Sequence, residues 1–285
     1  MLYNYQFFYN NRIVNEEQDL FFFILCTTIL HKYLAAMHRN NILIAIPVFN
    51  EIAVYNIIQR VKNFSLDVLV IDDGSTYSLR KGLINVENIR MIVHPRNLGY
   101  GKAIIDAFTY AMKNRYDYLL TIDGDGQHEP EEISLFLREI PFYDYDIISG
   151  SRYLFPIRVG ADVPIERYLI NKRITGILNR ITGFGLTDSF CGFKAYKVEK
   201  LKALHVTEYG YGMPLQLWIQ AWKRGLRVRE IPVKLIYNDL TKHFAGVLED
   251  PETRLLYYKN IIRKELADTE QKNVAVRRTK KTVRY

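Results

Sequence analysis

The sequence predicts an α/β fold in which a mostly parallel sheet is flanked by helices, and three observations carry the prediction. From Asn41 onward, short β-branched runs alternate with longer segments of helical period, the pattern of βαβ units. The residues that follow those runs are unusually polar, as expected where an open α/β sheet binds its ligand beyond the carboxyl ends of its strands. Apolar residues make 48% of the 285 and charged residues 25%, an ordinary globular balance that disfavours collagen, coiled coil and wholesale disorder.

In chain order, residues 1–40 read as a helical extension. Its most apolar run, Leu20 to Leu30, is shorter than the roughly 20 residues of a membrane span and follows Glu16, Glu17 and Asp19, so it reads as a core or docking helix. The stretch before it is net acidic, with Arg12 against Glu16, Glu17 and Asp19, unlike the positively charged n-region of a signal peptide. The main domain, 41–266, opens with strands at 42–48 and 66–72 around a helix at 51–64 whose apolar residues recur every three or four positions. A strand at 89–93, a helix at 101–115 and strands at 117–123 and 145–149 complete a doubly wound half. After Arg152 the rhythm changes to a long helix from about Pro164 to Thr182, a glycine-punctuated loop and the strand-like CGFKAYK. A helix around Leu215 to Arg224, a strand at 228–237 and a closing helix from about Glu252 to Leu266 follow, and this second half is expected to cover the top of the sheet. Residues 267–285 read as a basic, disordered tail.

Lys and Arg number 39 against 31 Asp and Glu, yet residues 263–285 alone hold eight basic and three acidic side chains. The body therefore lacks the basic footprint of a nucleic-acid binder, while the tail suits solvent, an anionic lipid surface or nucleic acid. Cys26 and Cys191 lie far apart without paired spacing, so no disulfide framework or zinc ribbon is available. A cytoplasmic protein, attached at most peripherally to the cytoplasmic face of a membrane, is the expectation.

The chemistry is expected at the strand ends. The first strand ends in Pro47, Phe49, Asn50 and Glu51, the second in Asp72, Asp73, Gly74 and Ser75, the fourth in Asp123 to His128. Asp123 and Asp125 alternate around Gly124, so both carboxylates, with Gln127, can face one hard divalent cation of the Mg2+ or Mn2+ type. A β-turn built on Asp and Gly reads the same way, but an EF-hand does not, because His128 falls at its sixth position and Ser134 at its twelfth. Asp72-Asp73-Gly-Ser likewise reads as a helix cap or as a pair of carboxylates relieved by a cation or a ribose. Gly101 and Lys102 lie in a glycine-rich helix start suited to an anion, and Arg152 supplies a guanidinium suited to phosphate. Together these groups describe transfer chemistry on a diphosphate.

The motifs IAIPVFNE, VIDDGS, NLGYGKA, TIDGDGQHEPEE, SGSRY and TDSFCGFKAYK, in this order and spacing, resemble those of the inverting family 2 glycosyltransferases. Within these the chain looks most like the dolichyl- or polyprenyl-phosphate mannosyl- and glucosyltransferases, over about Asn41 to Val233. The resemblance implies a GT-A fold and a nucleotide-sugar donor of the GDP-mannose or UDP-glucose type. By matched position, Pro47, Phe49, Asn50, Glu51 and Asp73 would hold the base and ribose, with Asp72 supporting and Gly101 and Lys102 beside them. Asp123, Asp125 and Gln127 would take the metal and diphosphate, and Arg152, Arg167 and Asn171 the acceptor phosphate. Asp123, Asp125 and Arg152 are thus the implied catalytic residues. The chain departs from the resembling enzymes at Phe49, which replaces Tyr, at Asn171, which replaces Ser, and at Gln216, which replaces Glu. It departs again at NDLTKH (238–243), where an Arg-x-x-Gly-x-Ser segment is expected.

An inverting transfer to a lipid phosphate needs no general base, since that nucleophile is already anionic, whereas a saccharide hydroxyl needs one. Asp188 and Glu208 are the candidate bases, each reading equally as a loop cap or a surface carboxylate. A polyprenyl or dolichyl phosphate is the favoured acceptor. A family 2 transferase acting on a saccharide hydroxyl, and a non-catalytic scaffold relative, are the alternatives.

Overall fold

The computed structural model describes residues 41–83, 89–154, 164–236 and 246–282. The expected N-terminal extension, with Leu20 to Leu30 and Cys26, lies outside them, as do residues 238–243. Seven strands form one sheet: β1 (Ile42–Val48), β2 (Asp67–Asp72), β3 (Ile89–Val93), β4 (Tyr118–Thr121), β5 (Ile147–Ser151), β6 (Lys194–Lys197) and β7 (Val228–Pro232). Their order is β3-β2-β1-β4-β6-β5-β7, parallel throughout except where β6 runs antiparallel between β4 and β5. The expected α/β class, mostly parallel and helix-flanked, is the one observed.

All seven residues of β1 are buried, as its unbroken apolar run requires of a central strand covered on both faces. Leu43 and Ala45 join a core cluster with Leu69 and Ile71 of β2 and residues of the helices α3 (Tyr100–Lys113), α5 (Ile165–Thr182), α7 (Met213–Lys223) and α8 (Pro251–Thr282). By the two-residue period of a strand, Ile42, Ile44 and Ile46 face the other side. Helix α1 (Val54–Val61) is amphipathic, burying Val54, Ile57, Ile58 and Val61. Helix α7 differs, since every residue from Met213 to Ala221 is buried, as in a helix enclosed on all sides. Its Trp218 indole donates to the Ser189 carbonyl at 2.9 Å, which satisfies the one polar atom of that ring.

The sequence reading differs from the structure at several boundaries. Short helices α2 (Leu79–Leu83), α4 (Ile133–Glu139) and α6 (Val198–Leu201) were not anticipated. In α4, Ile133, Phe136 and Leu137 are buried, a stripe only seven residues long and too short to announce itself by period. Strand β5 begins at Ile147 and takes Gly150 and Ser151 into the sheet, pairing Ser151 with Pro232, so these two residues are not beyond the strand. Strand β7 stops at Pro232 and 233–236 lie outside it, because the backbone N–H of Lys234 donates to the Glu132 carboxylate at 3.0 and 3.1 Å and leaves the ladder; Tyr237, the expected end, lies outside the described residues. The closing helix runs on to Thr282, so most of the segment expected as a disordered tail is helical backbone. No helix of the described residues is long and apolar enough to cross a membrane.

Candidate active site

Strands β1 to β4 are parallel neighbours, and β5 returns in their direction through antiparallel β6. The segments after β1 to β5 and the segment before β6 therefore open on one edge of the sheet. A cavity of about 550 Å³ lies there. Of the residues proposed from the sequence, Pro47, Phe49, Glu51, Asp73, Asp123, Asp125, Gln127, Arg152, Arg167 and Asn171 line it. Asn50, Asp72, Gly101 and Lys102 are not among its lining residues.

The acidic turn after β4 presents Asp123 and Asp125 to the cavity. Asp123 accepts from the Tyr100 hydroxyl at 3.1 Å, and its other oxygen lies 3.4 Å from Nε2 of the buried His128. Burial works to raise the Asp123 carboxyl, but the His128 hydrogen bond and charge, Tyr100 and the Lys194 ammonium outweigh it and hold the group below its ordinary value. Tyr100 responds in the opposite sense, pushed well up by burial and by the Asp123 charge. Gly192, just before β6, is what makes room: a Cβ there would stand 2.2 and 2.3 Å from the two Asp123 oxygens. Asp125 accepts the Gln127 backbone N–H at 3.0 Å, closing the turn. The donor set of Asp123, Asp125 and Gln127 is all oxygen, two carboxylates and an amide, which fits Mg2+ or Mn2+ completed by water and phosphate oxygens. No cluster of three or more His, Cys, Asp and Glu side chains suited to a metal occurs among the described residues, so an ion here would draw on the ligand as well.

The β1 and β2 ends are tied into one wall. Asn50, in the left-handed region at φ 55°, accepts from Thr76 N–H at 2.8 Å, while its own N–H donates to the Ser75 hydroxyl at 2.9 Å. Asp72 caps the turn by accepting from Ser75 N–H at 2.9 Å. Asn50 and Asp72 thus shape the wall from behind. Asp73, which does line the cavity, accepts the backbone N–H groups of Leu98 and Gly99 at 2.9 and 2.8 Å. Gly99 has φ 107°, and a Cβ on it would meet the Tyr209 carbonyl at 2.3 Å, so glycine is required twice over. Gly101 is buried against the 208–209 backbone, and Lys102 pairs with Asp106 one turn on, so both build the helix start from outside the cavity.

At the other end Arg152 grips Asp188, with Nε to Oδ2 at 2.6 Å and a second nitrogen to Oδ1 at 3.0 Å. Asp188 is fully buried and also accepts from Asn171 Nδ2 at 2.7 Å and Phe190 N–H at 3.1 Å. Burial would raise its carboxyl, but Arg152 and the Asn171 hydrogen bond hold it far below the usual range. Asp188 is thus the anchor of Arg152 and, having no exposure, offers nothing to a substrate proton. Asn171 is likewise engaged, its Oδ1 accepting from Thr175 at 2.9 Å. Glu208 accepts from Tyr257 OH at 2.7 Å and Gly210 N–H at 2.9 Å and is not among the lining residues. Gln216 braces the same loop, accepting from the N–H groups of Thr207 and Glu208 at 2.8 Å each.

Several lining or supporting residues escaped the sequence reading. Tyr100, His128 and Gly192 lie inside the quoted motifs but act through contacts distant in sequence, so only the motif itself flagged them. Arg254, on α8, lines the cavity while buried and bonds to Glu166 and, at 2.9 Å, to the Leu248 carbonyl. Nothing local marks it. Lys194 is buried with its ammonium 5.4 Å from the Trp218 ring centre, and burial lowers its pKa. Burial pushes the Cys191 thiol up to about 12.

Comparison with known proteins adds an independent line. The model of the family described as glycosyl transferase family 2 matches residues 43–204. The chain is 28% identical over 218 residues to a UDP-N-acetylglucosamine–dolichyl-phosphate N-acetylglucosaminyltransferase of Methanococcus voltae, covering 70% of this chain and 86% of that one. It is 28% identical over 209 residues to a polyprenol monophosphomannose synthase of Mycolicibacterium smegmatis, covering 70% and 78%. Among solved structures, it is similar to glucosyl-3-phosphoglycerate synthase from Mycobacterium tuberculosis in complex with Mn2+, UDP and glucosyl-3-phosphoglycerate. That likeness has a TM-score of 0.62 and 17% identity, covers 82% of each chain, and is a likeness of fold.

Proposed function

The chain belongs to glycosyl transferase family 2, and from that premise we propose that it moves a hexose from a nucleotide-diphospho-sugar to a polyprenyl or dolichyl phosphate, with inversion and with Mg2+ or Mn2+. In this reading the donor lies against the β1 and β2 ends, with Phe49, Glu51 and Asp73 toward base and ribose and the diphosphate toward Asp123, Asp125 and Gln127, all of which line the cavity. A divalent ion held by those three would neutralise charge on the departing nucleotide. Arg152, fixed by Asp188, and Arg167 present cationic groups to the acceptor phosphate at the other end of the same cavity.

The observation that carries the choice of acceptor is the engagement of both candidate bases. Asp188 is wholly buried in its ion pair, and Glu208 braces the 208–212 loop away from the lining. A hydroxyl nucleophile would need a proton acceptor, whereas a phosphate does not. The relatives named for dolichyl-phosphate and polyprenol substrates support the same reading. It is tested by a panel of GDP- and UDP-sugars with Mn2+ or Mg2+, following transfer to a short polyprenyl phosphate, to saccharides and to water. Metal-dependent transfer to the lipid phosphate is expected. Transfer to a saccharide alone would replace the acceptor, and an absence of any nucleotide binding would favour a scaffold.

A further inference from the structure

His94 opens the loop after β3 and is 7% exposed, yet both of its ring nitrogens meet carboxylates. Nδ1 lies 2.6 Å from Asp73 Oδ1 and Nε2 lies 2.8 Å from Asp106 Oδ2. Its backbone N–H donates to the Asp72 carbonyl at 2.8 Å, so the ring is held at its root as well. The charged groups facing it are Asp73 from the end of β2 and Asp106 from α3, and Lys102, one turn before, pairs with the other oxygen of Asp106.

An ionised carboxylate accepts only. A neutral imidazole has one N–H and one lone pair, so one of these two short contacts would set a lone pair against a carboxylate oxygen away from water. A doubly protonated ring turns both contacts into charge-assisted hydrogen bonds and makes the row Asp73, His94, Asp106, Lys102 alternate in sign. Asp73 is the inner end of that row and the member that lines the cavity, where it also fixes the Leu98 and Gly99 amides.

We propose that His94 is a positioning residue for the donor site: held as an imidazolium between Asp73 and Asp106, it fixes the Asp73 carboxylate and balances its charge beside an anionic nucleotide. This rests on the reading that Asp73 faces the donor, and it assigns a role in donor affinity to a chain of residues reaching out of the cavity to Lys102. Replacing Asp106 by Asn removes the need for the second proton, leaving His94 neutral and Asp73 with an uncompensated charge. Asp106 lies outside the lining, so a structural role alone would move stability and leave nucleotide affinity unchanged.

The test has two arms on the full-length protein. In the first, 15N-histidine spectra near pH 7.5, with His94 assigned by loss of its signals in His94→Gln, are expected to show both ring nitrogens protonated in the wild type and only one in Asp106→Asn. In the second, UDP and GDP binding with Mn2+ is followed by calorimetry. Asp106→Asn is expected to weaken the nucleotide that binds by about tenfold, on the scale of one charge-assisted hydrogen bond, with circular dichroism unchanged. In turnover the change should fall on the donor KM, with kcat within about twofold of the wild type. A lone pair on either nitrogen of His94 in the wild type, or unchanged nucleotide affinity in a folded Asp106→Asn protein, overturns the proposal. If Asp106→Asn does not fold, the binding arm is read on His94→Gln, which removes the imidazolium itself and is expected to weaken the nucleotide in the same direction, unchanged affinity in the folded variant being the refuting result. Should the wild type bind neither nucleotide, the glycosyltransferase reading of the cavity fails and takes the donor role with it, while the spectra still decide the imidazolium.

Discussion

Gly192→Ala tests how tightly the proposed metal corner is built. The Cβ it adds would lie 2.2 Å from Asp123 Oδ2 and 2.3 Å from Oδ1, and ordinary van der Waals contact begins near 3.4 Å. The carboxylate must therefore retreat by about 1.2 Å, the difference between those two distances. Gly192 is not in a left-handed conformation, so alanine brings no backbone strain and the push falls on one side chain. In retreating, Asp123 gives up the 3.1 Å bond from Tyr100 and the 3.4 Å contact with His128. A misplacement of about 1 Å at a reacting centre costs on the order of a hundredfold in rate. Gly192→Ala should accordingly lower transfer by about two orders of magnitude and weaken Mn2+-dependent nucleotide binding, while the thermal midpoint moves by only a few degrees. Steady-state kinetics and a thermal melt on one preparation measure both. A variant that folds, binds the metal as well as the wild type and turns over at the same rate would refute the placement of Asp123 in the site.

Other perturbations separate supporting groups from reacting ones. Asp188→Ala leaves Arg152 buried without its partner and should cost about 3 to 5 kcal/mol in a denaturant titration, as removal of one member of a buried pair does. Because the Asp188 carboxyl is depressed in the folded protein, its contribution is complete above the unfolded value near pH 4 and declines as pH falls toward its much lower folded value. The wild type should lose stability relative to Asp188→Asn below about pH 4, as followed by acid unfolding of both. Glu208→Gln keeps a side-chain oxygen that can accept from Tyr257 and Gly210, so transfer should stay within about tenfold of the wild type. A loss of about a thousandfold, rescued at higher pH, would instead identify Glu208 as a base and the acceptor as a hydroxyl.

The sheet was legible because β1, β2 and β4 are apolar runs followed by acidic residues, with glycine as well after β2 and β4, and parallel order brings such ends together. For the same reason Pro47, Phe49, Glu51, Asp73, Asp123, Asp125 and Gln127 read together as one wall. What the sequence conceals is which polar residues face inward. Asn50 and Asp72 carry the right chemistry, but each is drawn into a turn hydrogen bond, and Lys102 lies on the α3 turn that faces Asp106. Asp188 reads as a loop carboxylate until Arg152, 36 residues earlier, is found gripping it. Arg254 comes from a helix 102 residues beyond Arg152, outside every motif, and only tertiary packing brings it to the cavity. Short elements such as α4 fail for another reason, since a seven-residue stripe contains too few turns to show a period.

The central claim is that one cavity joins a metal-dependent diphosphate corner to an arginine-lined phosphate end. The measurement that bears on it most directly is nucleotide binding by calorimetry, with and without Mn2+, in the wild type and in Asp125→Ala. Binding of GDP or UDP that depends on the metal in the wild type, and is lost in a folded Asp125→Ala protein, is the predicted result. Equal affinity in the two proteins, with or without metal, would contradict it.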